Sequence, residues 1–494
     1  MLISSNTDKH FFIMKSNKSS VLTGLFWAFL DQFSSKGISL IVSIVLARIL
    51  SPNDFGMMGL IYFFTAIAQE LVDSGLSSSL IRDKQADKKD FSTIFVSNVA
   101  ISIFIYCLVF AIAPYFASYY AIPELELILK VYGLIFIINA FSNVQLTLLN
   151  KDLQFRKTLL LNLPGIIIGS LIAIYLAFKD YGVWSIVYMQ LITQLITTLI
   201  LWINNKNVSV YFSPQIFKKH FNFGFKIMLS SIVNAIFRNV SNIVIGKSYS
   251  VTDLGYFERS RTLSMYPSYV FVGVLSKVFY PVFSKMDNDL ELQQGYKKVL
   301  NVSFYVTFSV MLLIAAIASP LIGLVLGTKW LFAVPYFQLL CLRAAIHPLQ
   351  VFNLNILKVK GLSDQLFKLE LLNRLIGLLA LVIGIYFELY VLVILLTITD
   401  FIAYFINTIN TQKHHKYFLK QQLLDFLPTI LITCISFILC IVFQYYYVNI
   451  LSWMALIIQS LLFICSFIIL STITNNKNAS FISTMIISKF KLKK

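Results

Sequence analysis

Apolar residues recur in fourteen long stretches between Val21 and Ile473, separated by short polar gaps. A bilayer core about 30 Å thick needs roughly 20 apolar residues of helix, because each residue rises about 1.5 Å. Backbone polar groups must be paired inside lipid, so such stretches must be helices. The pattern predicts an all-α polytopic membrane protein. Its predicted spans are 21–46, 55–81, 91–117, 125–149, 159–178, 181–203, 221–245, 256–282, 299–322, 331–357, 368–387, 389–411, 424–447 and 451–473.

Lysine and arginine alternate with these spans. They crowd into the two chain ends and every second gap, for example Arg82 to Lys89 after the second span. The other gaps hold only Arg48, Lys179, Lys247 and Lys329. Cytoplasmic loops carry the excess of positive charge, so we expect both termini in the cytoplasm. The basic N-terminal residues before the first span resemble a signal peptide, but the apolar run is long and we expect a retained helix.

Composition agrees with a membrane protein. The 494 residues are 58% hydrophobic and only 13% charged, whereas a soluble domain has about a quarter of its residues charged. The net charge of +18 is explained by the lysines and arginines of the predicted cytoplasmic loops and chain ends. We therefore expect no nucleic-acid partner. The five cysteines lie in apolar segments without a CxxC pair, which argues against a disulfide framework or a zinc site. We expect no metal and no cofactor.

A short motif occurs twice. Ser51-Pro-Asn-Asp-Phe-Gly56 follows the first span, and Ser250-Val-Thr-Asp-Leu-Gly255 follows the seventh, 199 residues later. Asp and Gly also suit any turn or helix cap. However, both copies leave an odd-numbered span on the same side, which favours a parallel repeat of six helices. Transporters are often built from repeats with the substrate site between them.

Two spans carry matching polar faces. Gln32, Lys36, Ser39 and Ser43 follow helical spacing in the first, with Asp31 beside them; Ser231, Asn234, Arg238 and Ser241 do so in the seventh. Intramembrane charge usually lines a cavity or pairs with another charge. We therefore expect Lys36 and Arg238, with Gln32 and Asn234, to line a substrate cavity. The serines equally suit helix packing through hydrogen bonds.

The second span carries acids. Glu70 and Asp73 share a face with Ser77. Two interpretations stay open: these acids neutralise Lys36, or together with Asp31 they couple transport to an ion.

The eighth span carries Glu258, Arg259 and Arg261. Glu258 and Arg261 are three residues apart and can pair, which would leave Arg259 for substrate; an interfacial cluster is the alternative. We count both arginines as candidate substrate ligands. Pairing within the helix bundle is expected for the remaining intramembrane polar residues, Arg343, His347, Glu370, Arg374 and Asp400.

The sequence holds no HExxH, no GxxxxGK[ST] and no GxSxG motif, each of which would indicate a specific enzyme or nucleotide site. No gap exceeds about twenty residues, so a nucleotide-binding domain has no room. We expect a transporter and not an enzyme.

Three segments carry a family resemblance: Leu46–Gly56, Asp73–Arg82 and Leu149–Arg156. They resemble the polysaccharide-transporter (O-antigen flippase, Wzx-like) family of the multidrug/oligosaccharidyl-lipid/polysaccharide exporter superfamily. The resemblance implies two six-helix lobes in a V around a central cavity, plus two C-terminal helices. Related lipid II flippases carry essential arginines in the first, second and eighth helices; here the second helix offers acids instead. The implied organisation is a cytoplasmic segment at 1–20, an N-lobe at 21–203, a cytoplasmic linker at 204–220, a C-lobe at 221–411, helices 13 and 14 at 424–473 and a basic cytoplasmic tail at 474–494.

The resemblance also implies a function. Members of this branch move undecaprenyl-diphosphate-linked oligosaccharides from the cytoplasmic to the periplasmic leaflet of the bacterial inner membrane, for O-antigen, capsule or exopolysaccharide synthesis. It implies as partners the lipid-linked oligosaccharide, the lipid bilayer and, as candidates, a polysaccharide polymerase and a chain-length regulator. Two alternatives are a multidrug exporter of the same superfamily, which would favour an acidic cavity, and a membrane glycan polymerase or ligase, which typically carries a large periplasmic loop.

Overall fold

The computed structural model describes residues 37–152, 154–204, 208–283, 286, 288–447, 451–481 and 484. This part of the chain is helical and contains no β-strand. A 3-10 helix (Thr328–Ala333) precedes α12. The α-helices are α1 (Gly37–Ile49), α2 (Pro52–Asp73), α3 (Leu76–Arg82), α4 (Lys88–Tyr120), α5 (Glu124–Lys151), α6 (Phe155–Phe178), α7 (Trp184–Asn204), α8 (Pro214–Ser248), α9 (Val251–Phe283), α10 (Asp289–Ala316), α11 (Ala318–Val325), α12 (Val334–Val359), α13 (Ser363–Gly384), α14 (Leu389–His415), α15 (Leu419–Tyr446) and α16 (Ser452–Ile473).

Eleven helices among the described residues are long and apolar enough to cross a membrane. Helices α9 and α13 have 33 and 22 residues but are not among these eleven. Both carry several charged side chains, which lower their mean hydropathy. The all-α membrane architecture is confirmed, whereas the count of fourteen spans is not.

The second predicted span is two helices and not one. Helix α2 ends at Asp73, and α3 begins at Leu76 after Ser74 and Gly75, whose φ angles are 48° and 66°. Such positive φ values suit glycine and end a helix. At this break the chain lies very close to α8. A Cβ at Gly224 would lie only 2.7 Å from the Ser74 carbonyl oxygen, so the approach requires glycine at position 224.

The chain divides into two compact units. The first comprises the described residues of Met1–Leu50 and of Ile61–Asn239. Within it, α4 packs on α5, α5 on α7 and α6 on α7. A buried cluster that includes Leu76, Ile94 and Val144 joins α3, α4 and α5. Leu171 and Tyr175 on α6 are about 60% exposed, at 62% and 61%, as expected of side chains that face lipid.

The second unit comprises Ser51–Leu60 and the described residues of Val240–Lys494. Helix α12 lies at its centre and packs on α9, α10 and α14, while α15 and α16 pack on each other and on α10. Trp330 is fully buried and forms edge-to-face contacts with Phe55 and Tyr256, at ring-centroid distances of 5.5 and 5.9 Å. These contacts hold the start of α2 in the second unit.

The repeated motif caps two helices in the same way. Ser51 Oγ donates to Asp54 Oδ2 at the start of α2, and Ser250 Oγ donates to Asp253 Oδ2 at the start of α9, both at 2.7 Å. The two helix starts then pack on each other reciprocally within the second unit. A Cβ at Gly56 would collide with the Val251 carbonyl oxygen, and one at Gly255 with the Pro52 carbonyl oxygen. The two copies are therefore equivalent in structure.

Candidate functional site

A pocket of about 400 Å³ lies in the first unit. Three helices line it: α2 with residues 62, 65, 66 and 69, α5 with residues 132, 135, 136 and 139, and α8 with residues 238 and 239. The spacing of three, one and three residues recurs on α2 and α5, and it places each set on one helix face. The lining residues are Tyr62, Thr65, Ala66, Gln69, Tyr132, Ile135, Phe136, Asn139, Arg238 and Asn239.

Hydrogen bonds fix several polar side chains of the pocket. Asn139 Nδ2 donates to Gln69 Oε1 at 2.8 Å, which joins α5 to α2. Asn239 Nδ2 donates to the Ala235 carbonyl oxygen on its own helix at 2.9 Å. Arg238 contributes the positive charge of the lining, and its side chain is exposed in the pocket wall. The arrangement offers apolar surface, amides and one guanidinium to a ligand.

The structure places the predicted substrate and coupling residues unevenly. Asp31, Gln32 and Lys36 lie outside the described residues. Arg238 lines the pocket, and Asn234, half-buried, lies one turn before it on α8. Their roles in binding stay predictions.

The two acids lie at the end of α2. Glu70 follows the pocket residue Gln69 directly, and Asp73 is the last residue of the helix; both side chains are half-buried. Ser77 Oγ donates to Asp73 Oδ1 across the break before α3. A hydroxyl of α3 thus holds the Asp73 side chain at the end of α2, the helix that carries four of the lining residues.

In the second unit, the charged cluster of α9 is paired. Arg261 Nη2 lies 2.7 Å from Glu258 Oε1, so the predicted pairing of these two residues is confirmed. Arg259 is only 4% exposed, and its guanidinium carbon lies 5.1 Å from the Phe55 ring centroid. Binding of substrate by Arg259 would therefore require exposure of a side chain that is buried in this conformation.

The remaining intramembrane polar residues pair within the second unit, as predicted. Arg343 forms an ion pair with Asp400 between α12 and α14, and Arg374 lies 3.7 Å from Glu370 on α13. His347 Nδ1 lies 3.1 Å from Ser268 Oγ.

Sequence reasoning missed one polar cluster in the first unit. His220 is 1% exposed and lies between Ser79 Oγ, 2.8 Å from Nδ1, and Asp90 Oδ1, 2.9 Å from Nε2. The cluster joins α3, α4 and α8. His220 lies 130 or more residues from each of its two partners in the chain, and a single histidine in a basic segment gives no signal of such partners.

Asp83 lies beside this cluster, and Asp83, Asp90 and His220 bring possible metal-ligand atoms within 4.8 Å of one another. However, the Lys219 ammonium lies 2.6 Å from Asp83 Oδ2 and 3.7 Å from Asp90 Oδ1. It donates to Asp83 and lowers the pKa of that carboxyl below its ordinary value. Lysine thus supplies the positive charge that a metal would bring, and the arrangement is a paired cluster that fastens α8 to α3 and α4.

Comparisons with known proteins agree with this picture. A family model described as polysaccharide biosynthesis protein matches residues 45–335. The chain is 23% identical to the lipopolysaccharide biosynthesis protein WzxC of Escherichia coli (strain K12), over 75% of this chain and 76% of that protein. It is 24% identical to the succinoglycan biosynthesis transport protein ExoT of Rhizobium meliloti (strain 1021), over 67% of each chain.

Solved structures share the fold. The lipid II flippase MurJ in an inward closed conformation superposes with a TM-score of 0.70 at 15% identity, covering 91% of this chain and 98% of that one. An inward-facing multidrug resistance MATE transporter of the MOP superfamily gives 0.61 at 16% identity, covering 77% and 94%. These likenesses show the fold of that superfamily. Since the family model covers more than half of the sequence, this multi-pass membrane protein belongs to the polysaccharide biosynthesis protein family.

Proposed function

We propose that the protein is a flippase that moves undecaprenyl-diphosphate-linked oligosaccharide repeat units from the cytoplasmic to the periplasmic leaflet, for O-antigen, capsule or exopolysaccharide synthesis. The observation that carries the proposal is the first-unit pocket, which combines amides and one arginine in a chain of this family. Relatives named for lipopolysaccharide synthesis and succinoglycan transport support the substrate class.

The physical problem is the charged head group. A diphosphate cannot cross hydrocarbon without compensation, because removing an ion from water costs many kcal/mol. Cationic side chains replace the lost hydration with charge-assisted hydrogen bonds. We assign this role to Lys36, Arg238, Arg259 and Arg261, and contacts to sugar hydroxyls to Gln32 and Asn234. The lipid tail stays in the bilayer while the head group moves by alternating access.

An exporter of organic cations would need a pocket of the opposite charge. The described lining residues include Arg238 and no carboxylate, so a cationic drug would meet repulsion there. The MATE likeness therefore supports the fold of the protein and not that substrate class.

The function is tested by complementation. Expressed in strains that lack their own flippase, the protein should restore surface polysaccharide and drain the accumulated lipid-linked oligosaccharide in at least one strain. A polymerase and a chain-length regulator are the expected neighbouring partners. Full membrane expression without rescue in strains covering O-antigen, capsule and exopolysaccharide would contradict the proposal.

The same experiment tests ion coupling, which we assign to Asp31, Glu70 and Asp73. The combined Glu70→Gln and Asp73→Asn change removes two charges at nearly constant shape. It should slow export more than it lowers the membrane level of the protein. Normal export by this variant would remove both acids from the mechanism.

We further infer that the protein lies in the bacterial inner membrane with both termini in the cytoplasm. Position 88 begins α4 and position 121 follows its last residue, and both are exposed, so labelling there reports the side of the membrane and not burial. In a cysteine-free background, an impermeant maleimide applied to intact cells should label cysteine placed at 121 but not at 88. Permeabilised cells should show label at both positions, and label at 88 in intact cells would overturn the orientation.

A further inference from the structure

The first-unit pocket has an apolar floor. Ile135 of α5 lines the pocket and is half-buried, whereas its neighbours Tyr132 and Phe136 are only 5% and 1% exposed and add almost no accessible area. Tyr62 of α2 adds a ring that is half-buried at the pocket wall. A wholly ionic ligand, such as bare phosphate, would gain nothing from this surface. The C–H faces of a sugar ring would bury apolar area against it.

Beside this floor lies a hydrogen-bonded amide pair. The bond from Asn139 Nδ2 to Gln69 Oε1 leaves the Gln69 amide nitrogen as a donor and the Asn139 carbonyl oxygen as an acceptor. A neighbouring donor and acceptor match the hydroxyls of a sugar, each of which can both donate and accept. A purely apolar ligand would instead leave these polar groups unpaired, which is costly when water is excluded.

The third kind of surface is a single positive charge. Arg238 is the one charged side chain among the described residues that line the pocket. Its planar guanidinium offers parallel N–H donors to a carboxylate or phosphate. One guanidinium next to neutral amides and aromatic rings suits a ligand with one anionic group at its edge.

We infer that this pocket binds one pyranose ring that carries an adjacent anionic group, with the ring on the Tyr62–Ile135 side and the anion at Arg238. This inference rests on the proposed function and specifies which part of the substrate enters the pocket. The volume of about 400 Å³ is in the range of small-ligand sites, about 300–1,000 Å³. The anion has two possible sources: the anomeric phosphate of the first sugar, or a carboxylate on a sugar of the repeat unit.

Binding to the purified full chain in lipid nanodiscs tests the inference, with saturation-transfer NMR as the readout. The probes are glucose 1-phosphate, glucuronic acid, methyl glucoside and inorganic phosphate. At least one of the two anionic sugars should bind about tenfold or more tightly than methyl glucoside, the effect of one charge-assisted hydrogen bond. Preference for glucose 1-phosphate identifies the anomeric phosphate as the anion, and preference for glucuronic acid identifies a sugar carboxylate.

Two variants with matched controls locate the site. Arg238→Gln should remove the preference for anionic sugars but leave weak binding of methyl glucoside, whereas Arg156→Gln, at the exposed start of α6, should behave as wild type. Gln69→Ala should weaken all three sugars, while Tyr175→Ala on the exposed face of α6 should not. A melting curve of each purified variant excludes unfolding. Inorganic phosphate that competes as well as glucose 1-phosphate, no sugar signal, or unchanged binding by folded Arg238→Gln would overturn the inference.

The outcome is separable from that of the proposed function. Rescue of a flippase-deficient strain without sugar binding in this pocket would leave the function standing and reject the pocket. A preference for anionic sugars that Arg238→Gln removes, without rescue of any strain, would keep the pocket and reject the flippase.

Discussion

Replacing Arg238 by alanine should reduce export of the polysaccharide about tenfold or more. The change removes a charge-assisted contact worth about 1.5–3 kcal/mol, and Arg238 supplies the only charge among the described residues of the pocket lining. Arg238→Lys loses the bidentate fork but keeps the positive charge. Because the charge is kept, its effect should be mild. Combined Lys36→Ala and Arg238→Ala should abolish export, because two of the four predicted head-group cations, those on the matching polar faces, are then lost.

Surface polysaccharide, the pool of lipid-linked oligosaccharide and the membrane level of each variant must be measured together. Arg156→Ala, which removes an exposed arginine outside the pocket, is the matched control and should export normally. A well-expressed double alanine variant that exports normally would reject the cationic cavity. Disappearance of the double variant from the membrane would instead assign the two side chains a structural role.

Gly255→Ala should impair the protein severely. The added Cβ would collide with the Pro52 carbonyl oxygen, and Gly56→Ala would produce the equivalent collision with Val251. Both obstacles are backbone atoms, which cannot move aside as a flexible side chain can. Overpacking typically costs about 1–3 kcal/mol, and occasionally more. We expect export to fall at least about fivefold and the melting temperature of the purified protein to fall by several degrees.

The chain offers a control for this change on the same helix. A Cβ at Gly273 of α9 would meet no atom within 4 Å, so Gly273→Ala should retain wild-type export and melting temperature. This control tests whether a loss of export or stability comes from the collision with the backbone or from the lower backbone flexibility of alanine. If Gly255→Ala and Gly56→Ala both match Gly273→Ala, close packing of the two motif copies is not needed for stability or transport.

Helix positions followed from the sequence where the signal is local. The third and fourth spans, predicted at 91–117 and 125–149, are helices from Lys88 to Tyr120 and from Glu124 to Lys151. The additional residues are polar helix ends, which hydropathy does not register. The predicted helix boundaries are wrong where a helix break lies inside apolar sequence. The predicted span 299–322 is divided between α10, which ends at Ala316, and α11, which starts at Ala318.

Site residues followed from the sequence only in part. Helical spacing selected Arg238, and the structure places it in a pocket. The same reasoning did not select Gln69 and Asn139, because isolated amides in apolar helices are common and usually join helices. It also missed His220, whose partners Ser79 and Asp90 lie on other helices.

The sequence by itself determined the membrane class, the charge alternation, the repeated motif and the family resemblance. Each of these depends on residue type and on spacing along the chain, since transfer into lipid is a property of each residue and its near neighbours. Only the tertiary structure decided that Asn139 meets Gln69 and that Gly56 and Gly255 each approach the backbone of the other motif copy. It also decided that Arg259 is buried beside Phe55. These contacts join helices distant in sequence, and the packing of side chains between helices selects them.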